Sequence, residues 1–154
     1  ILIGAAIFNA LLRFSELPLL AADFFQNSGL SPFTVLLGMI ALYIMLGFVM
    51  DSLSMILLTV PIFWPIIAGL DFGLGPDDTK LWFGIISLIV VEMGLITPPV
   101  GLNVFVINSM AKDVPMIETF KGVVPFIVSD FIRVAIIIAF PTITLILPKL
   151  LAIE

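Results

Sequence analysis

Long stretches of this chain carry no charge, and that feature restricts what it can fold into more than any other. No Asp, Glu, Lys or Arg occurs between Asp23 and Asp51, between Asp51 and Asp71, between Glu92 and Lys112, or between Arg133 and Lys149. Such runs approach or exceed the roughly 20 apolar residues that carry a helix across a bilayer. Composition argues against a water-soluble core: 62% of the residues are hydrophobic and 11% charged. Soluble domains average about 45–50% and about 25%. So few charges cannot coat a water-soluble particle of 154 residues, and lipid is the expected main solvent. The expected fold is an all-α, multi-pass membrane bundle.

Several function classes fall away. The net charge is −5, with no basic cluster, so nucleic acid is not an expected partner. The absence of Cys and His removes thiol catalysis, disulfide frameworks and the commonest transition-metal ligands. An intramembrane aspartyl protease needs two facing aspartates, and only Asp51 and Asp130 lie at membrane depth. Asp130 reads as lying near a helix start with Arg133 one turn on, and neither aspartate stands in a Gly-x-Gly-Asp stretch. No enzyme and no cofactor are expected. The chain starts at Ile1 inside an apolar segment, without an initiator Met or a signal-peptide pattern. It reads as a piece of a longer polypeptide whose missing part is N-terminal.

Residues 1–32 read as the end of a spanning helix, closed by Arg13, followed by a short interfacial helix bearing Glu16, Pro18, Asp23 and Gln26. Ser31-Pro32 starts the next helix, because Pro is well tolerated in a first turn. Phe33–Met50 and Leu53–Ala68 are apolar arms interrupted at Asp51-Ser52. They form either one long helix with a polar defect or two arms meeting at a turn near Gly47–Ser52. Asp is a good N-cap for the second arm, so a re-entrant hairpin over 33–68 is expected. Residues 69–80 (GLDFGLGPDDTK) read as an aqueous loop. A broken transmembrane helix is expected over 81–111, with helical parts Leu81–Met93 and Leu102–Ala111. Residues 112–154 read as a polar connection with a short interfacial helix, then a last span over Val123–Leu147, kinked by Pro141 and stopped by Pro148-Lys149. Loop charges do not set the orientation, since Lys112 and Lys121 on one side face Arg13, Lys80 and Lys149 on the other.

The break over Gly94–Gly101 carries the chemistry. In a helix the amide of residue 98 would donate to the Gly94 carbonyl and that of residue 99 to Leu95. Pro98 and Pro99 have no N–H, so both carbonyls lose those partners. Thr97 and Pro98 each precede a proline and are pushed away from helical dihedrals. Gly94 and Gly101 supply close approach and unusual backbone angles. Irregular backbone survives at membrane depth only beside protein or a polar cavity. Freed carbonyls suit a hard cation such as Na⁺, and the bare N–H groups near Leu102–Val104 suit an anion. Discontinuous transporter helices divide their labour in this way. Plainer roles stand beside these: the Pro-Pro pair can merely kink a helix, Asp51 can be a structural cap, and Asn103 can bond between helices. Glu92 can serve the break or pair elsewhere, and Asp130 with Arg133, spaced i, i+3, reads as a mutually neutralising pair.

Gly94-Leu95-Ile96-Thr97-Pro98-Pro99-Val100-Gly101-Leu102-Asn103-Val104-Phe105-Val106 resembles the signature of the large membrane subunit of tripartite ATP-independent periplasmic (TRAP) transporters. Gly47-Phe48-Val49-Met50-Asp51-Ser52, followed by Pro61 and Pro65, is similar to that family's second hairpin. The likeness runs along nearly the whole chain and matches the C-terminal part of that subunit. It implies an elevator-type secondary transporter of the ion-transporter superfamily, in a bacterial or archaeal inner membrane. Two inverted repeats would each give a hairpin and a broken helix, and this chain would hold only the second repeat's pair. The implied partners are a small TRAP membrane subunit, a periplasmic substrate-binding protein, an organic acid such as a C4-dicarboxylate or sialic acid, and the lipid bilayer, with Na⁺ as coupling ion. The alternative is a carrier of the same superfamily that works without a binding protein. Carried over residue by residue, the resemblance implies a sodium site at Gly47, Asp51, Ser52, Gly94, Leu95, Thr97 and Gly101. Thr97, Pro98 and Asn103 would face substrate. Loops 15–32 and 69–80 would face the periplasm and 112–121 the cytoplasm.

Overall fold

A computed structural model describes residues 2–111 and 113–151. Lys112, the expected start of the polar connection, lies outside the described residues, as do Ile1 and 152–154. Among the described residues the regular structure is helical: α1 (Leu2–Phe14), α2 (Leu17–Asn27), α3 (Pro32–Leu46), α4 (Ser52–Ala68), α5 (Pro76–Ile96), α6 (Leu102–Met110), α7 (Met116–Ala139) and α8 (Thr142–Leu151). Both α5 and α7 are long and apolar enough to cross a membrane, and α1 with α2 forms a third candidate span bent by 59°. The bend falls at Glu16, whose φ of 54° is left-handed.

The two apolar arms are separate helices that run antiparallel. Ser31 caps α3 by accepting the Thr34 N–H at 3.2 Å, and Pro32 takes the first helical position. At the open end of the pair the Phe33 and Phe72 rings meet edge to face at 5.6 Å. Midway, Tyr43 packs on Phe63 at 5.0 Å, and the Thr59 hydroxyl donates to the Tyr43 oxygen at 3.0 Å. The chain reverses over residues 47–51, where Asp51 starts α4. Helix α5 packs against both arms through a buried core that includes Tyr43, Met55, Trp82, Val90, Val91 and Met93. The outward faces of α1, α6 and α7 remain apolar and exposed, as at Ile3, Phe105 and Phe126.

Boundaries differ from the sequence reading in three places. Helix α5 starts at Pro76 rather than Leu81, so the loop closes earlier. Pro76 is preset for a first turn, Asp77 and Asp78 favour the positive end of the helix dipole, and the Thr79 hydroxyl reaches the Gly75 carbonyl at 3.0 Å. No separate short helix precedes the last span among the described residues, because α7 runs without interruption from Met116. Asp130 therefore sits inside a helix rather than near its start, and it pairs with Arg133 at 2.8 Å. Pro141 does more than kink the last span, which ends at Ala139, while α8 continues through Pro148 to Leu151. In an apolar setting, leaving the helix would orphan several carbonyls, whereas Pro148 removes a single donor.

Candidate functional site

The ends of two helices meet at glycine. A Cβ on Gly47 would stand 2.7 Å from both the Cα and the carbonyl carbon of Gly94. A Cβ on Gly94 would stand 3.2 Å from the Gly47 Cα and 3.3 Å from the Ile44 Cα. The turn of the helical pair and the last turn of α5 are thus in backbone contact, which only two facing glycines allow. This brings together Gly47 and Gly94, which lie far apart in the sequence.

Beyond Gly94 the backbone leaves the helix as its prolines require. The Thr97 amide donates to the Gly94 carbonyl at 3.3 Å, which tightens the final turn. The Gly94 oxygen is therefore not free, contrary to the proline bookkeeping, which left it without a partner. The Thr97 hydroxyl donates to the Met93 carbonyl at 2.6 Å, replacing the amide that turned away. Its proton is committed there, and the oxygen keeps its lone pairs. No hydrogen bond among the described residues reaches the carbonyls of Leu95 or Ile96. Leu95 was expected from the sequence; Ile96 was missed, because its helical partner Val100 keeps an N–H and only the turn of the backbone out of the helix takes that donor away.

Past the two prolines, Gly101 has φ 54° and stands at the N-cap of α6. A Cβ there would also come within 3.1 Å of Phe120 and 3.3 Å of the Ile96 oxygen. The first backbone bond of α6 runs from Phe105 to Gly101 at 2.9 Å, so the amides of Leu102, Asn103 and Val104 have no backbone partner among the described residues. Pro98 and Asn103 are exposed. Within one short segment, bare carbonyls end one helix and bare amides begin the next. Such an arrangement can ligate a hard cation on one side and an anion on the other.

Asp51 and Ser52 open α4 at the far end of the turn that begins at Gly47. The Asp51 carboxylate caps α4 by accepting the Ser54 N–H at 2.9 Å. No hydrogen bond joins Asp51 or Ser52 to the Gly94–Gly101 segment among the described residues. Glu92 is exposed and makes no ion pair among them. No cluster of three or more acidic side chains gathers there either, so backbone oxygens dominate the local donor set.

The family model described as the DctM component of tripartite ATP-independent periplasmic transporters matches residues 1–143. The chain is 31% identical over 147 residues to the sialic acid TRAP transporter large permease protein SiaM of Vibrio cholerae, covering 96% of this chain and 33% of that protein. It is 32% identical over 149 residues to the C4-dicarboxylate TRAP transporter large permease protein DctM of Pseudomonas aeruginosa, covering 97% and 33%. A third relative, the 2,3-diketo-L-gulonate TRAP transporter large permease protein YiaN of Escherichia coli, is 28% identical over 131 residues, covering 85% and 29%. The chain spans about a third of the length of these relatives.

Proposed function

Because the chain belongs to the DctM component family of tripartite ATP-independent periplasmic transporters, we propose that it supplies one hairpin and one broken helix to the sodium and solute site of an organic-acid permease. The observation that carries this reading is the Gly47–Gly94 backbone contact. It sets the turn of the helical pair against a helix end whose Leu95 and Ile96 carbonyls lack partners. Na⁺ is hard and takes several oxygen ligands. The Leu95 and Ile96 carbonyls and the Thr97 oxygen would supply such donors, and the Gly47–Ser52 turn, in contact with the break through Gly47, would complete the shell. Gly94 and Gly101 contribute by shape, and Pro98 by holding the carbonyls out of the helical ladder. The amides opening α6, beside Asn103, suit the carboxylate of the solute.

The relatives are named for sialic acid, C4-dicarboxylates and 2,3-diketo-L-gulonate, so an organic acid is the proposed cargo. The proposed setting is the inner membrane, in a multi-pass protein. It would be assembled with a small membrane subunit and fed by a periplasmic binding protein. A re-entrant hairpin and elevator movement fit the geometry: α3, α4 and α5 share one core, whereas most of α7 is exposed.

The test is uptake by the full-length permease with its partners, reconstituted in vesicles and offered sialic acid or succinate under a sodium gradient. Pro98→Ala with Pro99→Ala restores two N–H donors. It should abolish uptake together with its sodium dependence, while the protein still inserts and folds. Thr97→Ala should be milder, raising the sodium concentration for half-maximal uptake more than it lowers the maximal rate. Transport by the double variant with unchanged sodium dependence would reduce the break to a kink. Uptake that needs no soluble binding protein would instead favour the binding-protein-independent carrier.

A further inference from the structure

Two adjoining clefts lie away from the break. One lies beside the opposite half of α5, and the other shares its Arg13, Pro61 and Trp64. The larger, about 630 Å³, opens between α4 and α5 and is walled by Ile56, Val60, Gly84 and Leu88, with Lys80 at one end. The smaller, about 370 Å³, continues past Trp64 towards α2 and carries Glu16. Both volumes fall within the range of small-molecule sites. Arg13 ends α1 and Lys80 lies in the first turns of α5, so the two cations stand at the end of the cleft nearest the 69–75 loop.

These two cations are unlike the other three among the described residues. Lys121 pairs with Glu118, Arg133 with Asp130 and Lys149 with Asp78. Arg13 and Lys80 make no ion pair among the described residues, although Glu16 lines the adjoining lobe. In a chain of net charge −5, two unpaired cations above one apolar cleft are complementary to a molecule with an anionic head and a hydrocarbon tail. Trp64 lines both clefts with Arg13, and indole rings favour the membrane interface. Long basic side chains reach headgroups from such positions. The Gly84 position keeps the wall open, since a Cβ there would meet nothing within 4 Å.

The geometry points to a bound anionic phospholipid, its phosphate held by Arg13 and Lys80 and one acyl chain lying along Val60, Ile56 and Leu88. This assignment uses neither the sodium site nor transport, and its test reads lipid retention alone. The full-length permease is purified in detergent with equimolar dioleoyl phosphatidylglycerol and dioleoyl phosphatidylethanolamine, and retained lipid is counted by native mass spectrometry. Wild type should favour the glycerol lipid by roughly thirtyfold, as two basic residues near a headgroup imply. Arg13→Gln with Lys80→Gln, both exposed positions, should bring the two lipids to parity. Gly84→Phe fills the cleft without touching either charge and should lower retention of both lipids. A thermal melt of each variant confirms folding. Equal retention of both lipids by wild type, an undiminished preference in the double Gln variant, or no effect of Gly84→Phe would each overturn the assignment. So would a cleft filled by another segment of the same protein in a structure of the complete permease.

Discussion

At the scale of single residues, the site depends on atoms that are missing. Gly47 and Gly94 matter because neither carries a Cβ, and Thr97 matters because its hydroxyl stands in for its own displaced amide. The sequence makes Gly94 and Gly101 legible as places of close approach and unusual dihedrals, because they bracket two prolines. It cannot say that Gly94 meets Gly47, since that contact depends on how α3 crosses α5. Nor does it show that the Gly94 oxygen is recaptured by Thr97, a local tightening that donor counting at i+4 overlooks. The contact yields a controlled comparison within one helical pair. Gly47→Ala places a methyl 2.7 Å from Gly94 backbone atoms and must push α3 and α5 apart. Gly38→Ala, in the same helix, meets nothing within 4 Å and should be neutral or stabilising by about 0.5–1 kcal/mol through helix propensity. Thermal melts of the purified permease should show Gly47→Ala destabilised by about 1–3 kcal/mol, the usual cost of overpacking. Its uptake should fall while that of Gly38→Ala holds. Equal melting of the two variants would mean that the glycine contact is not tight.

At the scale of helices, prolines show how this chain treats a carbonyl that loses its donor. Pro61 removes the helical partner of the Leu57 carbonyl, and the Asn9 side-chain amide supplies a bond at 3.1 Å from α1. Pro141 removes that of the Ile137 carbonyl, and the buried Trp82 indole donates to it at 2.9 Å from α5. In both places a neighbouring helix completes what proline took away. At Leu95 none does among the described residues, and there the helix itself ends one residue on. Helices were legible as charge-free apolar runs, and the interruptions as Gly, Asp and Pro. Their exact ends were not, because whether a proline stops a helix depends on who replaces the lost bond. The Trp82 bond can be isolated by a double-mutant cycle. Trp82→Phe leaves the Ile137 carbonyl unpaired, at about 1–3 kcal/mol beyond the loss of packing. Pro141→Ala returns an N–H that can extend α7, so the hydrogen-bond part of the Trp82→Phe cost should vanish in that background. Additive losses in equilibrium unfolding would show that the indole contributes through packing alone.

At the scale of the whole molecule, the open question is how deep the helical pair reaches. The arms contain 15 and 17 residues, or about 22 Å and about 25 Å at ~1.5 Å per residue, against a hydrocarbon core of ~30 Å. Neither arm spans that thickness, and the Phe33–Phe72 contact holds the open end of the pair beside the 69–75 loop. The turn should therefore stop inside the membrane, against Gly94, instead of emerging on the far side. Charge-free runs alone allowed a single helix through Asp51; the turn was legible only through Gly47 and Asp51-Ser52, and its depth only through lengths that coordinates provide. Cysteine is absent from this chain, so in a cysteine-free version of the full permease single thiols report depth directly. Val49 is 79% exposed at the turn, and Asp113 lies exposed in the connection between α6 and α7. An impermeant maleimide added on the Asp113 side should label Asp113→Cys rapidly. Val49→Cys should react much more slowly, and more slowly still in sodium if the proposed site binds it. Asp71→Cys, at the open end of the pair, should react only from the other side. Equal labelling of Val49→Cys and Asp113→Cys, indifferent to sodium, would make the pair two complete spans and remove the structural basis for a site at mid-membrane.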